Sequence, residues 1–166
     1  MSVVDLSDVE VDFKEESELV LEQARIYVNI GRTQEAIELL KAQIKTMPKA
    51  SAHHCLYLLD IYRDTNQKEE FLVYAKQLNQ HFNVMMPMWE SAPLPMVVAS
   101  TLEEFAHIVE KLTKLWAENL TEAEAYVEEL LTDNRDNERA GFGMEVFQEL
   151  VLLRDILKAR NKLTET

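Results

Sequence analysis

Glycine, proline and cysteine are scarce in this chain of 166 residues, which contains three, four and one of them. It therefore has no Walker loop, dinucleotide fingerprint or nucleophile elbow, because these motifs need glycine where the backbone approaches a phosphate or turns sharply. The single cysteine, Cys55, excludes an intramolecular disulfide and a cysteine-based zinc cluster. We find no signature of a cofactor, and expect none to be bound.

Long apolar runs and an excess of positive charge are also missing. No stretch approaches the roughly 18 apolar residues that span a bilayer, and the amino terminus lacks the basic and apolar regions of a signal peptide. We therefore expect no direct membrane insertion and a cytoplasmic location. The formal net charge of −13 argues against nucleic acid or anionic lipid as a partner, because phosphate binding needs clustered Lys and Arg.

Acidic residues are concentrated at the amino terminus. Residues 1–22 contain eight of them and one lysine, a net charge of −7. We interpret residues 1–15 as a flexible acidic arm and predict a helix from about Glu16. Beyond the arm, abundant Glu, Leu and Ala and few helix breakers predict an all-α fold.

The first half of the chain contains an internal repeat. A shift of 35 residues aligns Tyr27 with Tyr62 and Gly31 with Asn66. Asparagine is the usual substitute for glycine where the backbone turns left-handed, so this exchange indicates a turn in both copies. We predict two helical hairpins over residues 16–83.

The first hairpin resembles the tetratricopeptide repeat (TPR). It has the small residue, tyrosine, glycine, alanine and proline of that family at Ala24, Tyr27, Gly31, Ala36 and Pro48. The second hairpin departs from the pattern, because Phe71 replaces the alanine and no proline closes it. The resemblance implies an α-solenoid of stacked hairpins, whose first helices line a concave groove.

A segment rich in proline and methionine, residues 84–100, follows the hairpins. An uncovered end of a solenoid is hydrophobic. We therefore expect Met85, Met88 and Trp89 to pack over the open end of the repeats.

Residues 101–166 are predicted to form a carboxy-terminal three-helix unit. Thr101 and Thr121 are each followed three residues later by Glu, the capping-box pattern that starts a helix. The last helix is predicted from about Met144. Its apolar stripe is Leu150, Leu153, Ile156 and Leu157.

Catalytic and metal-binding patterns are weak throughout. His53 and His54 are adjacent, so on a helix they point about 100° apart and cannot share a metal ion; we expect both to face solvent or the groove. Cys55 lies on an apolar helix face, as a small buried hydrophobic residue does. The loop 133–143 resembles a calcium loop in composition but lacks the EF-hand spacing. We expect a turn in which Asp and Asn side chains form hydrogen bonds with backbone groups. Arg135 and Arg139 are expected to hold this turn by binding carbonyls at helix ends or acidic side chains.

Binding is therefore a better hypothesis than catalysis, with a protein or peptide as the partner. The carboxylate clamp of the TPR family is not reproduced, since Leu21 and Arg25 stand where it needs Lys and Asn. The groove positions that the resemblance implies are amphipathic and suit a peptide or helix with some positive charge. They are Leu21, Arg25, Val28, Asn29, His53, Leu56, Asp60, Arg63 and Asp64.

A narrower resemblance involves residues 22–31, 57–62 and 82–90, which are similar to the cytoplasmic repeat region of bacterial FimV-type pilus-assembly proteins. It implies a non-catalytic scaffold in type IV pilus or cell-pole assembly. A small acidic TPR chaperone for a secreted protein is an alternative, and an enzyme of unrecognised type is a third. Self-association is compatible with all three.

Overall fold

The computed structural model describes the backbone of residues 6–90, 101–135 and 141–164, and side chains from residue 16 onwards. These parts contain seven α-helices, two short 3-10 helices and no strand, so the all-α prediction is confirmed. The α-helices are α1 (Leu6–Asn29), α2 (Thr33–Thr46), α3 (Ala52–Asp64), α4 (Lys68–His81), α5 (Ala106–Glu118), α6 (Leu120–Thr132) and α7 (Met144–Thr164). The 3-10 helices are Pro48–Ala50 and Leu102–Glu104.

The chain forms two compact units, Met1–Tyr74 and Ala75–Thr166, and the division lies within α4. The four-part organisation inferred from the sequence stays a prediction. No helix in the described ranges is both long enough and apolar enough to cross a membrane.

Helix α1 begins at Leu6, ten residues before the predicted start near Glu16. Residues 6–15, assigned to an arm, therefore continue the helical backbone, and residues 1–5 lie outside the described part. Acidic side chains near a helix amino terminus are stabilised by the positive end of the helix dipole. The acidic composition, which suggested an arm, is thus also compatible with the start of a helix.

The turn between α1 and α2 is closed by two backbone hydrogen bonds. The N–H of Arg32 donates to the carbonyl of Tyr27 over 2.7 Å, and the N–H of Gly31 donates to that of Val28 over 3.1 Å. Gly31 has a φ of 83°, in the left-handed region. This is the Schellman arrangement, in which glycine ends a helix without steric cost.

The turn between α3 and α4 repeats these bonds. The N–H of Gln67 donates to Tyr62 over 2.8 Å, and the N–H of Asn66 donates to Arg63 over 3.2 Å. Asn66 has a φ of 57°. The left-handed turn predicted from the exchange of glycine for asparagine is confirmed.

The core of the first unit is formed by apolar residues of α1, α2, α3 and the start of α4. Pro48 follows the end of α2, as expected, because proline cannot continue a helix. Ala24 of α1 and Phe71 of α4 are fully buried. The buried apolar residues of α2 and α3 are Ala36, Ile37, Leu40, Ile44, Ala52, Cys55, Leu58, Leu59, Ile61 and Tyr62.

In the second unit, the segment after α4 is tied to two distant parts of the chain. The N–H of Asn83 donates to the carbonyl of Leu131 over 2.7 Å, and the N–H of Phe142 donates to the carbonyl of Asn83 over 3.0 Å. Val84 forms an isolated parallel bridge with Phe142. Gly141 has a φ of 88°, and a Cβ there would lie 2.4 Å from the carbonyl carbon of Val84. Only glycine allows this approach of the two backbones.

The starts of the later helices differ from the capping-box predictions. Thr101 accepts a hydrogen bond from the N–H of Glu103 over 3.0 Å, but it begins the 3-10 helix, and α5 starts only at Ala106. Helix α6 is capped by Asn119, whose side-chain oxygen accepts from the N–H groups of Thr121 and Glu122. Asn119 was missed because Thr121 and Glu124 match the motif, although asparagine is an equally good N-cap.

Helix α7 buries a different face from the predicted one. Leu150 and Leu157 are fully buried, but Leu153 is only partly buried and Ile156 is 40% exposed. Arg154 is buried instead, with Nη1 lying 3.7 Å from Oε2 of Glu128. The buried face consists of Val146, Phe147, Leu150, Val151, Arg154 and Leu157.

Candidate functional site

The nine groove positions inferred from the sequence all lie on α1 and α3, and we call them the α1–α3 surface. None of them is fully buried. Leu21, Val28, His53 and Leu56 are partly buried, whereas Arg25, Asn29, Asp60, Arg63 and Asp64 are exposed. Their apolar members are therefore accessible beside charged ones.

Helices α1 and α3 contact each other at two places. The carbonyl oxygen of Ser17 lies 2.8 Å from Nε2 of His54. The guanidinium carbon of Arg25 lies 5.8 Å from the centre of the Tyr57 ring, within range of a cation–π interaction. The first helices of the two hairpins are thus neighbours, and Tyr57, which the sequence reasoning missed, belongs to the same surface.

Charges of both signs act on Tyr57. Burial raises the pKa of its hydroxyl, Arg25 opposes that rise, and Asp60 and Asp64 add to it. These three charged side chains therefore lie close enough to one ring to affect it. The carboxylates make this part of the surface suitable for a cationic group on a partner.

Arg63 and Asp60 form the second part of this charge pattern. The Arg63 guanidinium lies 4.9 Å from the centre of the Phe71 ring. Partial burial raises the pKa of the Asp60 carboxyl; Arg63 lowers it, and Asp64 raises it again. Asp60 and Asp64 on successive turns of α3 therefore form a pair of acids flanked by one arginine.

His54 is buried, with 4% of its surface exposed, so the prediction that it faces solvent or the groove is wrong. His53 is partly exposed. Burial lowers the pKa of His54, and Arg25 and His53 lower it further, against the hydrogen bond with Ser17. His54, Leu58 and Ile61 fall at i, i+4 and i+7, a pattern that indicates one buried helix face.

The tautomer of His54 follows from its partner. A carbonyl oxygen only accepts hydrogen bonds, so Nε2 carries the proton that it donates to Ser17. Nε2 therefore cannot remove a proton from the Ser17 hydroxyl, whose oxygen lies 3.5 Å away. Among the residues that the structure describes, Nδ1 of His54 has no hydrogen-bond partner. The Ser17–His54 contact is a structural link between α1 and α3 rather than a nucleophile with its base.

Cys55 is buried, as expected from its helix face. Its Sγ lies 3.5 Å from the carbonyl oxygen of Tyr74, to which the thiol donates. Burial raises the pKa of the thiol to about 12. The thiolate that nucleophilic catalysis requires is therefore strongly disfavoured.

The predicted polar turn after α6 is described at residues 133–135 and 141–143. A side-chain oxygen of Asp133 accepts from the N–H of Arg135 over 3.2 Å. The Asn134 side chain donates to the carbonyl of Gln80 over 2.9 Å. Asp and Asn satisfy backbone groups here, as predicted; Arg139 lies outside the described residues.

The methionines after α4 are partly accessible to solvent. Met85 and Met88 are 37% and 56% exposed, and Trp89 is partly buried. That these three residues pack over the open end of the repeats stays a prediction. The rest of this segment, residues 91–100, lies outside the described part.

Within the described ranges, no three His, Cys, Asp or Glu side chains are grouped so that they could hold a metal ion. Comparisons of the chain with protein-family models, curated proteins and solved structures found no match.

Proposed function

We propose that this chain is a non-catalytic protein–protein interaction module, a TPR-like scaffold or adaptor. It binds a peptide or helix on the α1–α3 surface. The FimV-type resemblance of its sequence supports a role in bacterial type IV pilus or cell-pole assembly.

One observation carries this proposal: the turn that ends α1 and the turn that ends α3 are equivalent. Tyr27 and Tyr62 occupy the same position in two Schellman turns, 35 residues apart, with Gly31 and Asn66 as the left-handed residues. Equivalent turns support equivalent hairpins, in which α1 and α3 are the corresponding first helices. In helical repeats, corresponding helices line the binding surface.

The chemistry of the surface supports a partner of mixed character. Leu21, Val28 and Leu56 offer partly exposed apolar area, and Asp60 and Asp64 offer negative charge. An amphipathic helix with Lys or Arg beside its apolar stripe matches both features. Helix recognition of this kind requires no reactive group.

The test reverses the charge of the two acids of the surface. Asp60→Lys and Asp64→Lys should each weaken capture of the partner from lysate of the source cells, measured by quantitative mass spectrometry, whereas Glu35→Lys should not. Glu35 is an exposed acid of α2, so it controls for the change in charge. Asp60 and Asp64 are both exposed, so the thermal melt should change little.

Two outcomes would reject the proposal. If the three variants retain the same partners as the wild type, the α1–α3 surface is not the binding site. If the wild type captures a single secreted protein and no membrane or pilus component, the acidic chaperone replaces the scaffold.

A further inference from the structure

Helix α7 has a second apolar face, which is exposed. Leu152, Ile156 and Leu163 are 59%, 40% and 76% exposed, and Ala159 between them is also exposed. Successive members are separated by 4, 3 and 4 residues. This is the spacing of the a and d positions in a two-stranded coiled coil. We call these four residues the outer stripe.

The outer stripe lies on the opposite side of α7 from its buried face. At about 100° per residue, Leu152 lies about 160° around the helix from Leu150, and Ile156 about 160° from Arg154; Leu150 and Arg154 are both buried. A second helix can therefore pack along the outer stripe without disturbing the core of the unit.

Contacts near both ends hold α7 in place. A side-chain oxygen of Glu149 accepts from the N–H of Leu102 over 2.8 Å. The side chain of Asn161 donates to the carbonyl of Leu120 over 3.1 Å. The outer stripe is therefore presented by a fixed helix, which lowers the entropy lost on association.

Charges at the edges of the stripe are self-complementary. In heptad terms Asp155 and Lys162 occupy g positions along one edge, and Arg160 occupies an e position along the other. In a parallel pair, Asp155 faces Arg160 of a second copy; in an antiparallel pair, it faces Lys162. In both alignments the two-fold symmetry forms two pairs of opposite charge. Each chain carries a net charge of −13, so two copies repel each other. A basic side chain opposite Asp155 reduces that repulsion at the seam.

We propose that two copies of this chain associate through the outer stripes of their α7 helices. The seam from Leu152 to Leu163 is about 17 Å long. Because it is shorter than that of independently stable coiled coils, the association is reversible and depends on concentration. This proposal concerns a different surface from the α1–α3 surface and does not depend on the proposed partner.

Sedimentation equilibrium of the full chain, from low to high micromolar concentration, tests the proposal. The wild type should show a monomer–dimer equilibrium. Ile156→Glu should raise the dissociation constant at least ten-fold, because it puts a carboxylate into the apolar seam. The control is Ile26→Glu, the same change at an exposed isoleucine of α1, which should leave the equilibrium unchanged.

Leu163→Glu is the second variant, because this residue is the most exposed of the stripe and its replacement should not affect folding. It too should weaken dimerisation, with an unchanged helical signal in circular dichroism. A wild type that stays monomeric at all concentrations would overturn the proposal. So would a dimer that Ile26→Glu dissociates and Ile156→Glu does not.

Charge exchange identifies the alignment. Arg160→Asp should raise the dissociation constant about two- to ten-fold if the pair is parallel, because it places an acid opposite Asp155 of the second copy. Lys162→Asp should do so if the pair is antiparallel. If neither variant weakens association, the edges are not paired as proposed and the inferred seam is wrong.

Discussion

The carbonyl oxygen of Ser17 in α1 and Nε2 of His54 in α3 are joined by a hydrogen bond of 2.8 Å. This bond needs only the neutral imidazole, and burial makes the protonated form of His54 unfavourable. Protonation is therefore easier in the unfolded chain, so the link between α1 and α3 is sensitive to acid.

The first prediction concerns pH. Because the pKa of His54 is lower in the folded state, its contribution to stability is complete above about 6.5, the pKa of an unperturbed histidine, and is lost as the pH falls. The unfolding free energy should therefore fall between about pH 7 and about pH 5. His54→Gln should flatten this dependence in urea titrations, whereas His107→Gln, at an exposed histidine, should leave it intact.

The second prediction concerns the thiol of Cys55. A buried thiol with a pKa of about 12 should not react with an aromatic disulfide reagent at neutral pH until the chain unfolds. The labelling rate should follow the unfolded fraction across a urea titration. An Ala42→Cys variant is the internal control, because residue 42 is exposed on α2 and its thiol should react at once. Fast labelling of both thiols in the native protein would contradict the packing of α3.

The third prediction compares the two equivalent turns. Gly31→Ala should lower the unfolding free energy by about 1 kcal/mol, because only the left-handed φ opposes it and no atom lies within 4 Å of the added Cβ. Gly31→Asn should lower the unfolding free energy by less than Gly31→Ala does. Asn66→Gly should be close to neutral, and Asn66→Ala destabilising. Urea unfolding measures all four, and equal costs for alanine and asparagine at residue 31 would contradict the left-handed turn.

The fourth prediction uses Gly31→Ala as its reference. Gly141, like Gly31, has a left-handed φ. In addition, the Cβ added by Gly141→Ala would lie 2.4 Å from the backbone of Val84. Since backbone cannot move aside as a flexible side chain does, we expect a loss on the order of 3 kcal/mol, clearly larger than at Gly31. If the two alanine variants are equally stable, Gly141 does not lie against Val84.

Local patterns predicted the elements whose formation depends on nearby residues. The apolar helix face that contains Cys55 indicated that this residue is buried, and the exchange of Gly31 for Asn66 indicated a left-handed turn. Both depend on helical periodicity or on backbone sterics, which a single sequence displays directly.

Features that depend on distant partners were missed. Arg154 is buried because α6 supplies Glu128 beside it, and His54 is buried because α1 supplies the carbonyl of Ser17. Hydropathy alone predicts an exposed position for both residues, because it ignores the ion pair of Arg154 and the hydrogen bond of His54. The nine positions of the α1–α3 surface were inferred from the family pattern, whereas the role of Tyr57 required the position of Arg25.

The bonds made by Asn83 have a consequence for synthesis of the chain on the ribosome. They join Asn83 to Leu131 and Phe142, residues that are translated much later. At about 5–20 residues per second, the nascent segment waits several seconds for them to emerge. During that interval Phe82, fully buried in the finished protein, lacks its edge-to-face contact with Phe147. The second unit therefore cannot complete its packing until the start of α7 has been translated.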